Sequence, residues 1–391
     1  MSGVTVPDIA ERQADSSIFE VSVVIPCLNE AGSIEECVRA VRGALDEGGY
    51  EGEVVVVDNG SEDRSGELAA GAGARVVDEP RRGYGNAYLA GLAAAQGRYI
   101  VMLDADMTYD ANELPRFVTA LEEGGDMVLG DRMKSIQPGA MPWMHRHVGN
   151  PVLTGLLNTL FGTEVNDAHC GMRAVRRDVL PKLDLRTTGM ELASEMVIRA
   201  AKAGLDIRQF PIEYHPRQGE SKLSTWSDGW RHLRFLLIHS PRHLFLIPGT
   251  VLVALGGLIM GIVLSHVSIF GRDWGIHAEI GGSLLVVLGV QVMALGLAAR
   301  AYGVYFMGER DDWFGRMRQR FRLEHGLMIG GAIALAGLIS GGVLLIMWID
   351  NGFGSLSEGQ LAVLSATLVT VGAEVFFTSF LLSILGLRRP E

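Results

Sequence analysis

Two acids two residues apart, Asp104 and Asp106, close the apolar part of the stretch YIVMLDADMTYD, Tyr99 to Asp110. The run Tyr99 to Leu103 reads as a buried strand that delivers both carboxylates into the loop at its carboxyl end. Residues two apart in extended chain point the same way. Two like charges side by side destabilise each other unless a cation lies between them. Mg²⁺ and similar hard ions take carboxylate oxygens, and Mg²⁺ completes its shell with phosphates and water. The pair therefore points to Mg²⁺ or Mn²⁺ and a phosphorylated ligand, with a solvated Asp-rich turn as the bland alternative.

Positioning those acids requires a particular scaffold. Residues 21–26, 53–57, 74–77, 99–103 and 127–130 read as short buried strands, separated by helical stretches. Ser33 and Glu36 form a capping-box pattern, and residues 110–113 cap a later helix. The alternation implies an α/β fold, a mostly parallel sheet with crossover helices, in which ligands sit at the carboxyl ends of the strands. Asn29 and Glu30, Asp58, Asp104 and Asp106, and Asp131 and Arg132 all fall at such ends and should line one crevice. The stretch GYGNAY, Gly83 to Tyr88, lacks a third glycine and follows the third strand, which excludes NAD; no Walker A sequence is present.

The chain has 391 residues and two unlike halves. A net charge of −11 argues against a nucleic-acid partner, and three cysteines without paired spacing fit a reducing compartment. Residues 1–19 read as a disordered, polar leader and not as a signal peptide. A charged domain spans 20–225, and 226–243 has the pattern of an amphipathic helix at a lipid interface. The remainder, 244–391, holds four apolar runs at 244–265, 280–299, 327–349 and 361–387, each near the roughly 20 residues that cross a bilayer. Arg300, Arg310, Arg316, Arg318, Arg320 and Arg322 join the second run to the third, whereas 350–360 has no Lys or Arg. The positive-inside rule then puts the first domain and both termini in the cytoplasm, at the cell membrane. Glu374 inside the fourth run costs roughly 2–3 kcal/mol against lipid, so it should face another helix or a polar cavity.

Further candidates lie between the halves. The loop 132–150 is long and basic, with Arg146 between His145 and His147. Glu191 and Glu195 stand one turn apart on a helix at 190–203, which reads as a solvated face or as a source of a base. Arg217 and Lys222 flank a glycine in a turn that suits phosphate, although basic residues before a membrane also anchor lipid headgroups.

The stretches VSVVIPCLNE, VVVVDNGSEDRS, GYGNAYLAGLAAAQGRYIVMLDAD and RQGESKL, followed by membrane spans, resemble family 2 inverting glycosyltransferases, specifically the polyprenyl-phosphate (dolichol-phosphate) hexose synthases. The resemblance covers most of residues 20–240 and implies a GT-A, Rossmann-like head. It implies that Pro26, Asn29 and Glu30 contact the nucleotide, that Asp58 hydrogen-bonds the base, and that Asp104 and Asp106 hold the metal on the diphosphate. By the same resemblance Arg132 and Arg146 belong to the acceptor region, and Arg217, Ser221 and Lys222 handle phosphate charge. Mannose-transferring members often carry Gln two positions after the second acid, where this chain has Thr108. The QxxRW pattern of processive polymerases is absent, which favours a single transfer.

The expected activity is transfer of a hexose from a nucleotide-diphospho-sugar to a polyprenyl phosphate, with UDP-glucose ahead of GDP-mannose because of Thr108. Two alternatives stay open: transfer to a lipid hydroxyl with Glu191 or Glu195 as base, and a non-catalytic membrane partner that senses nucleotide sugar. The oligomeric state is open, a homo-oligomer included.

Overall fold

The computed structural model describes residues 18–218, 225–268, 273–306, 312–320, 323–353 and 358–386. These form two compact units that divide after Leu236.

The first unit is built on a seven-stranded sheet in the order β3-β2-β1-β4-β6-β5-β7. Its strands are β1 (Phe19–Cys27), β2 (Gly52–Asp58), β3 (Arg75–Asp78), β4 (Gly97–Met102), β5 (Met127–Asp131), β6 (Arg173–Arg176) and β7 (Ile207–Pro211). All pairings are parallel except those of β6, which runs antiparallel between β4 and β5. The five strands read from periodicity are present. β6 escapes such a reading because it has four residues, RAVR, and two are arginines.

Apart from the single turn Leu180–Leu183, the longer helices of this unit are α1 (Ile34–Gly48), α2 (Ser65–Gly71), α3 (Tyr84–Ala94), α4 (Leu114–Glu122), α5 (Asn150–Phe161), α6 (Leu192–Lys202) and α7 (Thr225–Ile238), which ends the unit. In α1, Ile34, Cys37, Val38, Val41, Ala44 and Leu45 recur at helical spacing and are all buried, and Gly49 stops the helix at φ 72°. The expected capping box at Ser33 does not form; its hydroxyl donates to the Glu30 carbonyl at 3.4 Å instead. Asp110 does cap, accepting the Asn112 N–H at 2.9 Å. Alternation along the strands splits the apolar residues between two cores. Val23, Val56 and Val101 pack under α1 and α4, while Val24, Val57 and Ile100 pack under α3, α5 and α6. Helix α7 buries Leu236 and His232 against the second core and leaves Trp230 exposed.

The second unit contains α8 (Ile247–Leu264), α9 (Ile276–Phe306), the short basic α10 (Asp312–Arg320), α11 (Leu323–Asp350) and α12 (Gly359–Gly386). Among the described residues four segments are long and apolar enough to cross a membrane: Arg242–Leu264, Ile276–Phe306, Leu323–Asp350 and Gly359–Gly386. Helix α8 packs on α9, α9 on α12 and α12 on α11. Glycines make these contacts close: a Cβ on Gly289 would lie 2.7 Å from the Gly249 carbonyl oxygen, and one on Gly330 2.8 Å from that of Gly372.

Phe117 is fully buried and packs edge-on to Phe210 at 4.7 Å between ring centroids. Phe117→Ala should destabilise the first unit by about 3–5 kcal/mol. Denaturant unfolding followed by fluorescence reads this as a lower midpoint at unchanged slope.

Candidate active site

The loop after β1 and the loop after β2 are fastened to each other. Pro26 pairs in register with Val57, one residue before each strand ends. Asn29 takes a left-handed conformation, φ 51°; its side-chain oxygen accepts the Glu62 N–H at 2.7 Å and its own N–H donates to Ser61 Oγ at 3.0 Å. Asp58 accepts the Ser61 N–H at 2.9 Å. Asn59 donates to the carbonyls of Glu79 and Arg81, both at 2.8 Å, and accepts the Gly83 N–H at 2.7 Å. Three strand ends are thus tied into one rim beside the start of α3.

Asp104 and Asp106 emerge from β4 beside this rim. One Asp104 oxygen accepts from the hydroxyls of Tyr84 and Tyr88 at 3.2 and 3.3 Å, both from α3. Opposite, Gly171 is pressed so close that a Cβ there would collide with the Asp104 carboxylate. Burial, with the charge of Asp106 second, pushes the Asp104 carboxyl up to about 6. Asp106 is buried, and one oxygen accepts from Thr108 twice, from Oγ1 at 2.6 Å and from N–H at 3.2 Å. Thr108, 1% exposed, therefore orients Asp106.

The segment after β7 runs alongside. His215 N–H donates to the Thr108 carbonyl and Gln218 N–H to that of Asp106, at 3.0 and 3.1 Å. This brings Arg217 into the crevice, where Nη2 donates to Glu30 Oε1 at 2.9 Å and Nε lies 3.5 Å from Asp106 Oδ2. Residues 30, 106 and 217, far apart in sequence, meet there. Arg132, at the end of β5, is also buried; it donates bidentately to Asp167 at 2.6 and 2.9 Å and stacks over the Tyr214 ring at 5.2 Å. Burial works to raise the Asp167 carboxyl, but Arg132 holds it below the usual range. Arg173, 1% exposed, donates to the carbonyls of Cys170 and Ala193 and so shapes the turn that carries Asp167 and Gly171.

Sequence reasoning missed Asp167, Tyr84, Tyr88 and Arg173. The one signal for Asp167 is an acid in a Gly- and Cys-containing turn before a short arginine-flanked strand. Arg146 lies in a π-turn, His145–Gly149, on the long loop. Glu195 requires correction. It is 3% exposed and accepts the N–H groups of Arg186 and Thr187, with Arg199 3.8 Å away, so it is neither on a solvated face nor free as a base. It holds the 186–188 loop, whose Thr188 carbonyl accepts the Asn86 N–H at 3.2 Å. Glu191 stands at the start of α6, partly buried. Ser221 and Lys222 lie outside the described residues.

The carboxylate pair fits a hard divalent cation. Its donors are oxygens, burial and the like charge of Asp106 hold Asp104 there at an electrostatic cost, and only a glycine at 171 leaves room for the Asp104 carboxylate. Arg217 supplies a neighbouring positive charge, its Nε 3.5 Å from Asp106 Oδ2.

Comparison with known proteins follows the same lines. Residues 22–184 match the model described as Glycosyl transferase family 2, and 297–386 match the family 2 C-terminal transmembrane region. The low-salt glycan biosynthesis hexosyltransferase Agl6 of Haloferax volcanii is 43% identical over 95% of this chain and 91% of its own length. The dolichyl-phosphate hexose transferase of the same organism is 37% identical over 54% of this chain and 89% of its own. An undecaprenyl-phosphate 4-deoxy-4-formamido-L-arabinose transferase of Enterobacter sp. is 27% identical over 73% of this chain and 89% of its own.

Two outcomes are expected from this geometry. Asp167→Asn leaves Arg132 as a buried charge without its counter-ion and should cost about 3–5 kcal/mol of stability, read in chemical denaturation. Because the Asp104 proton must leave before a metal can bind, Mn²⁺ affinity measured by electron paramagnetic resonance should fall about tenfold per pH unit below about 6 and level off above it. An affinity unchanged between pH 5 and pH 7.5 would exclude Asp104 as a ligand.

Proposed function

This chain belongs to glycosyltransferase family 2, and on that premise we propose that it transfers a hexose from a nucleotide-diphospho-sugar to a polyprenyl phosphate, inverting the anomeric carbon, at the cytoplasmic face of the membrane. The observation that carries the proposal is the meeting of Asp104 and Asp106 with Arg217 and Glu30 in one crevice of a chain that also has four membrane-length helices. Relatives named for dolichyl-phosphate and undecaprenyl-phosphate sugar transfer support the choice of acceptor. The arginines between the second and third spans support the cytoplasmic side.

In this reading Pro26, Asn29, Glu30 and Asp58 hold the nucleotide, and Asp104 and Asp106 hold Mg²⁺ or Mn²⁺. Such an ion, when bound, supplies charge stabilisation to the departing diphosphate. Thr108 orients Asp106 through one of its oxygens, and its standing where mannose-transferring members often carry a further amide ligand supports UDP-glucose over GDP-mannose. Arg132, Arg146, Arg217 and Lys222 offset the repulsion between two anionic substrates, with Asp167 holding Arg132 in place. A phosphate monoester with its second pKa near 6 is already ionised at neutral pH, so the acceptor needs no general base. The engagement of Glu195 in the 186–188 loop is consistent with that economy.

Membranes carrying the protein, given labelled nucleotide sugars and undecaprenyl phosphate, should form a sugar phospholipid that mild acid cleaves. An acid-stable glycolipid would instead mean a hydroxyl acceptor. Asp106→Ala should abolish the product, and full activity in that variant would remove the acid pair from the mechanism.

A further inference from the structure

Two imidazoles and one hydroxyl meet beside the turn that carries Asp167. Ser194 Oγ, fully buried near the start of α6, lies 3.2 Å from His169 Nε2 and 3.3 Å from His232 Nδ1. The two rings stand edge to face with centroids 4.7 Å apart. Burial first, and then His232, pushes His169 down to about 3, so its ring is neutral. The buried Nδ1 of His169 has no hydrogen-bond partner among the described residues, so the bond to Ser194 is the one that sets this ring. Three elements are joined by these groups. His169 belongs to the turn before β6, and its N–H donates to Asp167 Oδ1 at 3.2 Å, while Asp167 grips Arg132 at 2.6 and 2.9 Å. Ser194 belongs to α6, where the neighbouring Ala193 carbonyl accepts from Arg173 at 2.9 Å. His232 belongs to α7; with Leu236 one turn later it is buried, whereas Trp230, Arg231, Arg234 and Ile238 are exposed on the opposite face. A line of polar contacts thus runs from α7 through α6 to the guanidinium at the end of β5.

We propose that His232, Ser194 and His169 are positioning residues for Arg132: the seating of α7 holds the turn, the turn holds Asp167, and Asp167 aims the guanidinium at the phosphate of the acceptor. This rests on the reading of Arg132 as a residue of the acceptor region. A guanidinium is aimed only as well as the acid behind it is held. The Ser194 hydroxyl has one proton to give, so one ring accepts it and the other donates its own N–H. Removing any of the three leaves a buried polar group without its partner and frees the turn to shift. The face of α7 that carries Trp230 and two arginines is the one suited to a lipid interface, so the relay links that helix to the residue expected to meet a lipid phosphate.

The test compares variants of the full chain in vesicles that contain undecaprenyl phosphate, with UDP-glucose binding as a control for folding. Ser194→Ala, His169→Leu and His232→Leu should each raise the KM for undecaprenyl phosphate about tenfold and leave that for UDP-glucose within about twofold. His232→Asn, whose amide reaches the place of Nδ1, and His169→Gln, whose amide reaches that of Nε2, should keep the wild-type value. Ser194→Ala combined with His232→Leu should be no worse than either alone, because the same link is cut. A second readout needs no acceptor: labelling of Arg132 by phenylglyoxal, followed by mass spectrometry, should rise about tenfold in the first three variants. Wild-type labelling in all three, with UDP-glucose binding intact, overturns the proposal. So does an equal rise in the Asn and Gln variants, which would mark general loosening. Raised labelling beside an unmoved KM for undecaprenyl phosphate overturns instead the acceptor role of Arg132 on which the proposal rests.

Discussion

Like charge held at close range is the constraint around which the head of this protein is arranged. Asp104 and Asp106 leave one strand end two residues apart, and burial, with the charge of Asp106 second, pushes Asp104 up to about 6. Each neighbour answers that problem. Tyr84 and Tyr88 donate to Asp104, Thr108 donates twice to Asp106, and the Arg217 guanidinium lies 3.5 Å from the remaining Asp106 oxygen. Gly171 gives the first carboxylate room that no other residue would leave. A site that stabilises its own acids so incompletely is prepared for a cation that would do so better.

The cations of the crevice are themselves held by acids. Arg217 is paired with Glu30, and Arg132 with Asp167. These pairs fix the direction of each guanidinium before any anion arrives, which is how a preorganised site avoids reorganising during transfer. They also connect separate strand ends: β1 to the segment after β7, and β5 to the turn before β6. The packing of that turn relies on Arg173, a fully buried arginine that donates to the backbone carbonyls of Ala168, Cys170 and Ala193.

The parts legible in the sequence are those governed by short-range pattern. Apolar runs ending in Asn29, Asp58, Asp104 and Arg132 gave the strand ends, and uninterrupted hydropathy gave the four spans. What escaped depends on contacts between distant segments. β6 is too short and too basic to read as a strand, yet its place between β4 and β5 sets Asp167 opposite Arg132. Glu195 has helical spacing from Glu191 and looks solvated, but the loop folding back over it supplies its donors. Ser33 has the right neighbour for a capping box and caps nothing, because Glu30, in the preceding turn, offers its carbonyl. Tyr84 and Tyr88 carry no signal of their own within GYGNAY; only the approach of α3 to β4 turns their hydroxyls on Asp104.

The central claim is that the acid pair holds a divalent ion on which the nucleotide diphosphate binds. Calorimetric titration of UDP-glucose into the full-length protein, first chelated and then loaded with Mn²⁺, tests it most directly. The account predicts heat of binding only in the loaded protein, or affinity at least about a hundredfold higher there, since two carboxylates otherwise face the diphosphate. Equal affinity with and without the ion would contradict it.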